Sequence, residues 1–141
     1  MDLEANKALS RRMLRLWAGN ATDDPRAFIA EDYVNRQEPY VANGSSNNLG
    51  LERWLEIVEG HRKAFPDCEV EILLQIAEGD KVATRWRFHG TNLGEYVGHP
   101  PTGRRAVWTG IEIDVIRNEK IAESWVDWDM HGQFEQLGFL G

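Results

Sequence analysis

The sequence predicts an α+β fold in which N-terminal helices cover one face of a curled antiparallel sheet. Apolar residues recur at helical spacing as far as Pro66, and beyond it the period changes to the alternation of strands. No repeat, linker or low-complexity stretch interrupts the change. A chain of 141 residues is long enough for one sizeable core and too short for two, so residues 1–141 are expected to form a single domain.

The elements follow in order. Leu3, Leu9, Met13, Leu14, Leu16 and Trp17 mark a first helix running to about Ala18, with Gly19-Asn20 as its stop. Thr22-Asp23-Asp24-Pro25 offers capping residues and a proline suited to a first turn, which predicts a short second helix through Ala27, Phe28 and Ile29. Asn43 to Asn48 reads as a polar loop, and Leu51, Trp54, Leu55 and Val58 mark a third helix ending before Pro66. Four stretches rich in Val, Ile, Thr and Trp then predict strands: Glu69 to Glu78, Lys81 to His89, Arg105 to Arg117 and Lys120 to Asp129. Gly79-Asp80 and Asn118-Glu119 are the turns that pair them antiparallel.

The last hairpin permits a prediction of register. With a two-residue turn at Asn118-Glu119, Ile116 faces Ile121, Asp114 faces Glu123, Glu112 faces Trp125, Gly110 faces Asp127 and Trp108 faces Asp129, all on one side of the sheet. The other side, with Thr109, Ile111, Ile113, Val115, Ala122, Val126 and Trp128, is the expected helix-covered core, and Trp86 joins it. The first side reads as a solvated face whose carboxylates Glu112, Asp114 and Glu123 pair with Arg85 and Arg87. At its far end Trp108, Trp125 and His89 gather around Asp129. A carboxylate desolvated by indole rings has its pKa pushed upward, as a proton shuttle needs. Two readings of Asp129 stay open at this level: a surface carboxylate, or an acid/base group in a cavity made by a curl or bulge of the sheet.

Composition narrows the partners. Sixteen basic residues against 23 acidic ones give a formal charge of −7, which disfavours nucleic acid and anionic membrane surfaces. Cys68 is alone, so no internal disulfide forms, and no Cys/His spacing suits a structural zinc site. Glu4, Lys7, Arg11, Arg12 and Arg15 interrupt the apolar residues of the first helix, which argues against a signal peptide or anchor and predicts a soluble cytoplasmic protein. Six Trp, five Phe and three Tyr are enough both to fill a core and to wall a small-molecule pocket, with Trp17, Trp54 and Phe65 as candidates from the helices.

Several short motifs converge. Ala64-Phe65-Pro66-Asp67, Gly79-Asp80-Lys81-Val82, Gly90-Thr91, Gly94, Gly98, Pro100-Pro101-Thr102-Gly103-Arg104, Lys120-Ile121, Trp125 followed four residues later by Asp129, and Gln136-Leu137-Gly138 together resemble the SnoaL-like polyketide cyclases, or ester cyclases. The resemblance implies an NTF2-like cone, N-terminal helices packed in the concave face of a curved antiparallel sheet, assembled as a homodimer or homotetramer. It implies intramolecular aldol condensation of a hydrophobic aromatic or polycarbonyl compound, with no metal and no cofactor. It also gives the acid/base role to Asp129. Substrate would then be bound by Trp108, Trp125, His89, Asn92, Asn35 and Trp17. Family members often carry His where this chain has Asn92, and near Arg36, so a changed chemistry (hydroxylase or hydrolase) and a non-catalytic binding module remain as alternatives. The stiff Pro100-Pro101 turn is expected to close the mouth of the cone.

Overall fold

The computed structural model of the protein describes residues 2–36 and 48–140; the loop expected over Asn43 to Asn48 lies outside them, apart from Asn48. Helix α1 (Leu3–Arg15) begins where the Asp2 side chain accepts a hydrogen bond from the Ala5 amide. Strand β1 (Ile29–Arg36) and the two-residue strand β2 (Leu49–Gly50) precede α2 (Leu51–Ala64). Strands β3 (Glu69–Glu78), β4 (Lys81–Thr91), β5 (Arg105–Arg117) and β6 (Lys120–Trp128) follow, and α3 (Met130–Leu137) closes the order.

The six strands form one curved sheet in the order β2-β1-β6-β5-β4-β3, with the helices on its inner side, as an NTF2-like cone requires. The sequence reading needs correction first at the chain after Pro25. The short helix expected at Pro25 is a single 3₁₀ turn over Pro25–Ala27, and the chain continues as β1 instead of a helix. Ile29 and Tyr33 of that strand are buried, yet its Ala30, Glu31 and Asp32 obscure the alternation that would have announced it. The second correction is that β1 runs parallel to β6, so the sheet is mixed.

The core has two lobes. Met13, Leu16, Phe28, Ile29, Tyr33, Trp54, Val58 and Ile121 fill the one beneath α2, while Phe65, Trp86, Phe88, Trp108 and Leu137 fill the other. Between them, the end of α1 docks on the loop after α2: the Gly19 amide donates to the Cys68 carbonyl, and a Cβ on Gly19 would lie 1.9 Å from the Pro66 oxygen. Only glycine permits that approach.

The turns stand where expected, with Gly79, Asn118 and Glu119 all at positive φ. The register beyond the second turn does not. Arg117 pairs with Lys120 and Ile116 with Ile121, but Val115 pairs with Glu123, Asp114 with Ser124 and Glu112 with Val126. Ala122 is the extra residue of a β-bulge, and one inserted residue turns every later side chain of β6 relative to β5. Trp108, Gly110, Glu112, Asp114 and Ile116 therefore share the inner face with Ser124, Val126 and Trp128. Ile111 and Ile113, expected in the core, are exposed on the outer face. Glu112 and Asp114, expected in water, are buried.

Candidate active site

The concave side of the sheet encloses a cavity of about 430 Å³, within the range of small-molecule sites. Its walls come from every layer of the fold: Leu14 and Trp17 from the α1 end, Trp54, Ile57 and His61 from α2, Trp86 and Phe88 from β4, Trp108 and Glu112 from β5, and Val126 and Trp128 from β6. Tyr96 and Val97 of the loop between β4 and β5 complete the rim.

That loop is held by its own hydrogen bonds. The Asn92 side chain donates to the Gly94 carbonyl at 2.8 Å and accepts from the Thr102 amide at 2.9 Å, while its backbone exchanges bonds with Arg104 and Gly103. Asn92 is thereby spent on shaping the loop and does not line the cavity. His99 stacks on Phe139 with ring centroids 4.0 Å apart, which ties the Pro100-Pro101 turn to the chain after α3.

The aromatic walls are locked by one another. Trp86 stacks on Phe88 at 4.1 Å, and Trp17 meets Trp54 edge-on at 5.8 Å. Trp86 can lie flat across the sheet because residue 110 is glycine, where a Cβ would come within 2.3 Å of the indole. His61 sits among Trp17, Phe65, Phe88, Tyr96 and Trp108. Burial pulls its pKa down to about 4, so the ring is neutral at physiological pH. In the unfolded chain the ring takes up a proton near pH 6.5, whereas in the fold it does so only near 4. The unfolded state thus binds more protons across this window, and His61 makes stability fall as pH drops through it, by roughly 3 kcal/mol in total. His61→Phe should flatten this part of the acid limb in pH-dependent thermal denaturation; an unchanged limb would contradict the assignment.

Among the described cavity-lining residues, one carries a carboxyl. Glu112 is 3% exposed, and its Oε2 has no hydrogen-bond partner. Next to it on the same face is Asp114, also buried, whose Oδ1 accepts a 2.6 Å hydrogen bond from the Ser124 hydroxyl. Burial raises the pKa of Glu112 well above the usual value, and the Asp114 charge adds to the effect. Burial also raises Asp114, opposed by the Glu112, Ser124 and Ser10 side chains around it. Tyr33 joins the group through Ser124, and its hydroxyl accepts a 2.7 Å bond from Asn35 Nδ2.

The residues expected to form the site are only partly brought together. Trp17 and Trp108 line the cavity, and Asn35 lies behind its floor in contact with Tyr33. Trp125 is on the outer face, with the Arg36 guanidinium 5.6 Å from its ring centre. Arg36 itself is engaged by Glu123 at 2.6 Å, and Arg117 shares that carboxylate. His89 also faces outward, 2.8 Å from Arg105 and 3.3 Å from Glu69. Asp129 is exposed in a shallow groove on the outer side with Arg85, Ile111 and Asp127, and its carboxylate caps α3 by accepting from the Gly132 amide at 2.9 Å. The expected cluster of Trp108, Trp125 and His89 around Asp129 does not form, because the Ala122 bulge puts Trp108 and Trp125 on opposite faces. Glu112 and His61 are the cavity groups that the sequence reading had set aside.

An aromatic cavity with a buried carboxyl, on the concave side of a curved sheet, accords with the family match over residues 7–137. The chain belongs to the SnoaL-like polyketide cyclase family. It is 31% identical over 134 residues to the aklanonic acid methyl ester cyclase DauD of Streptomyces sp. (strain C5), covering 92% of this chain and 80% of that one. Among solved structures, AclR, a candidate hydroxylase from Streptomyces galilaeus, superposes with a TM-score of 0.84 at 28% identity, over 98% of this chain and 83% of its own. IdmH, a candidate polyketide cyclase from Streptomyces antibioticus, superposes with a TM-score of 0.78 at 26% identity, over 94% of this chain and 98% of its own. As a SnoaL-like cyclase the protein is an enzyme. No described helix is long and apolar enough to cross a membrane.

Proposed function

We propose that this SnoaL-like cyclase binds a flat, hydrophobic polycarbonyl compound in the aromatic cavity and closes a ring by intramolecular aldol condensation, without a cofactor. The observation that supports the reading most is the cavity itself, with indole walls and a buried carboxyl among its lining residues. Such a substrate supplies its own electron sink, since a carbon flanked by carbonyls is already acidic. The protein then has two tasks: to hold nucleophilic carbon and electrophilic carbonyl in reach, and to move one proton between them. Rigid aromatic walls serve the first. They also exclude water, which would otherwise compete for the enolate.

The DauD name supplies a concrete probe, aklanonic acid methyl ester. Purified protein is expected to convert it to a cyclised isomer, seen as a chromatographic shift at constant mass. Absence of any product under conditions where the ester binds would overturn the reading. The outer face also bears exposed Leu74, Ile76, Ile111 and Ile113, which suits assembly as a homodimer or homotetramer. Sedimentation equilibrium at one protomer mass would contradict that assembly.

A further inference from the structure

We propose that Glu112 and Asp114 form a proton-sharing pair that serves as the acid/base device of the cavity, with Glu112 touching the ligand and Asp114 positioned behind it. The inference rests on the proposed ring closure for its substrate class, but its geometry stands apart from that reading. Both carboxyls are buried on the inner face of β5, two residues apart and adjacent to each other. Among the described residues no Lys, Arg or His is paired with either. Each has one oxygen, Oε2 of Glu112 and Oδ2 of Asp114, with no hydrogen-bond partner. Two adjacent unpaired charges in an apolar interior are costly, whereas one proton shared by the pair removes one of the charges.

The network behind the pair gives it polarity. Ser124 donates to Asp114, and Tyr33, which accepts from Asn35, lies close behind Ser124. The Ser124 donor thus falls on Asp114, so the negative charge rests there and Glu112 keeps the proton. A proton relay follows directly. One Glu112 oxygen takes the proton from the acidified carbon as the other passes its own to Asp114; the C–H bond breaks, and the charge moves from Asp114 onto the substrate enolate. The enolate carbon then bonds to the carbonyl carbon. The resulting alkoxide takes a proton from Glu112 while Asp114 returns its proton, which restores the pair with no net gain or loss.

The other groups facing the pair are Ser10 from α1, Tyr33 from β1, Thr84 opposite Glu112 on β4, Ser124 from β6, and His61 of α2 across the cavity. Of these, Tyr33 and His61 titrate; burial raises Tyr33 well above its ordinary value and keeps His61 neutral above about 4. Neither changes charge over the working range of the pair.

Deuterium wash-in tests the relay without requiring ring closure. The probe is 2-tetralone, a bicyclic enolisable ketone that cannot cyclise, followed by proton NMR in D₂O with binding monitored by tryptophan fluorescence. Wild-type protein is expected to accelerate exchange over buffer, and Glu112→Gln to lower that acceleration by about 100-fold or more with binding retained. Asp114→Asn removes the neighbouring charge, so its exchange profile should move to lower pH. Because a buried Glu that retains its proton costs stability as pH rises above its unfolded value, Glu112→Gln should also melt higher than wild type at pH 8. Exchange unaffected by Glu112→Gln, or none by the wild type, would overturn the pair. Exchange by the wild type without closure of the ester would uphold the pair and refute the cyclase reading.

Discussion

Glu112→Gln is expected to lower the rate of ring closure of aklanonic acid methyl ester by about 10²–10⁴-fold, the usual worth of a positioned acid/base group. Gln occupies the volume of Glu and keeps a donor toward Asp114, so the cavity should retain its shape and its affinity. The loss should therefore fall on kcat, not on KM. Asp129→Asn is the informative companion. Asn is as good an N-cap as Asp, so α3 should form as before, and Asp129, unlike Glu112, is not among the residues that line the aromatic cavity. Closure rates in Asp129→Asn should stay within a few-fold of wild type. The opposite ranking, with Asp129→Asn inactive and Glu112→Gln active, would return the acid/base role to Asp129.

Phe65→Ala is expected to have the largest effect on stability. Phe65 ends α2 with no exposure to solvent, and its ring lies 5.0 Å from both His61 and Tyr96 and 5.1 Å from Trp108. The neighbours are themselves held on several sides: Tyr96 by a hydrogen bond to Gln133, and Trp108 by its strand. They cannot collapse into the space, so the cost combines lost transfer energy with a residual cavity, about 3–5 kcal/mol. For a domain of this length that corresponds to a fall in Tm on the order of 10 °C. A fall of only one or two degrees would mean that the lobe relaxes around the gap. Ring closure should also suffer, since Phe65 buttresses Trp108 at the wall of the site.

The strands from β3 onward, the turns at Gly79-Asp80 and Asn118-Glu119, and α2 were legible because each rests on a local signal: alternation, a glycine or asparagine at positive φ, or an apolar stripe. Strand β1 was hidden because Ala30 and the exposed Glu31-Asp32 interrupt its alternation, which left the capping motif at Asp24 as the dominant local cue. Helix α3 was missed for the converse reason. Its eight residues carry Gln133 and Leu137 as the buried positions, too few for a stripe, although Asp129 before it and Gly138 after it are a cap and a left-handed stop.

The site was legible in its materials and not in its arrangement. Tryptophans in excess of what a core needs pointed correctly to an aromatic pocket, and Trp17 and Trp108 are in it. A carboxyl among indoles was also expected, and Glu112 lines the cavity beside them. Which carboxyl depended on register, and register depended on the Ala122 bulge, which has no signature in a sequence that reads Lys-Ile-Ala-Glu-Ser-Trp through the strand. The run of acidic residues on β5 therefore looked like a solvated face. Its two members at 112 and 114 alternate with Ile111, Ile113 and Val115, and either parity could have faced the core. The pattern of apolar residues alone favoured the wrong one, because the face that is apolar by composition here is the outer one.

The most direct measurement is a crystal structure of the Glu112→Gln variant with aklanonic acid methyl ester bound. The account predicts the polycyclic part between Trp17, Trp108 and Trp128, with the acidic carbon and the acceptor carbonyl both within hydrogen-bonding reach of residue 112. Ester seated instead in the outer groove against Asp129, with the aromatic cavity unchanged, would contradict it.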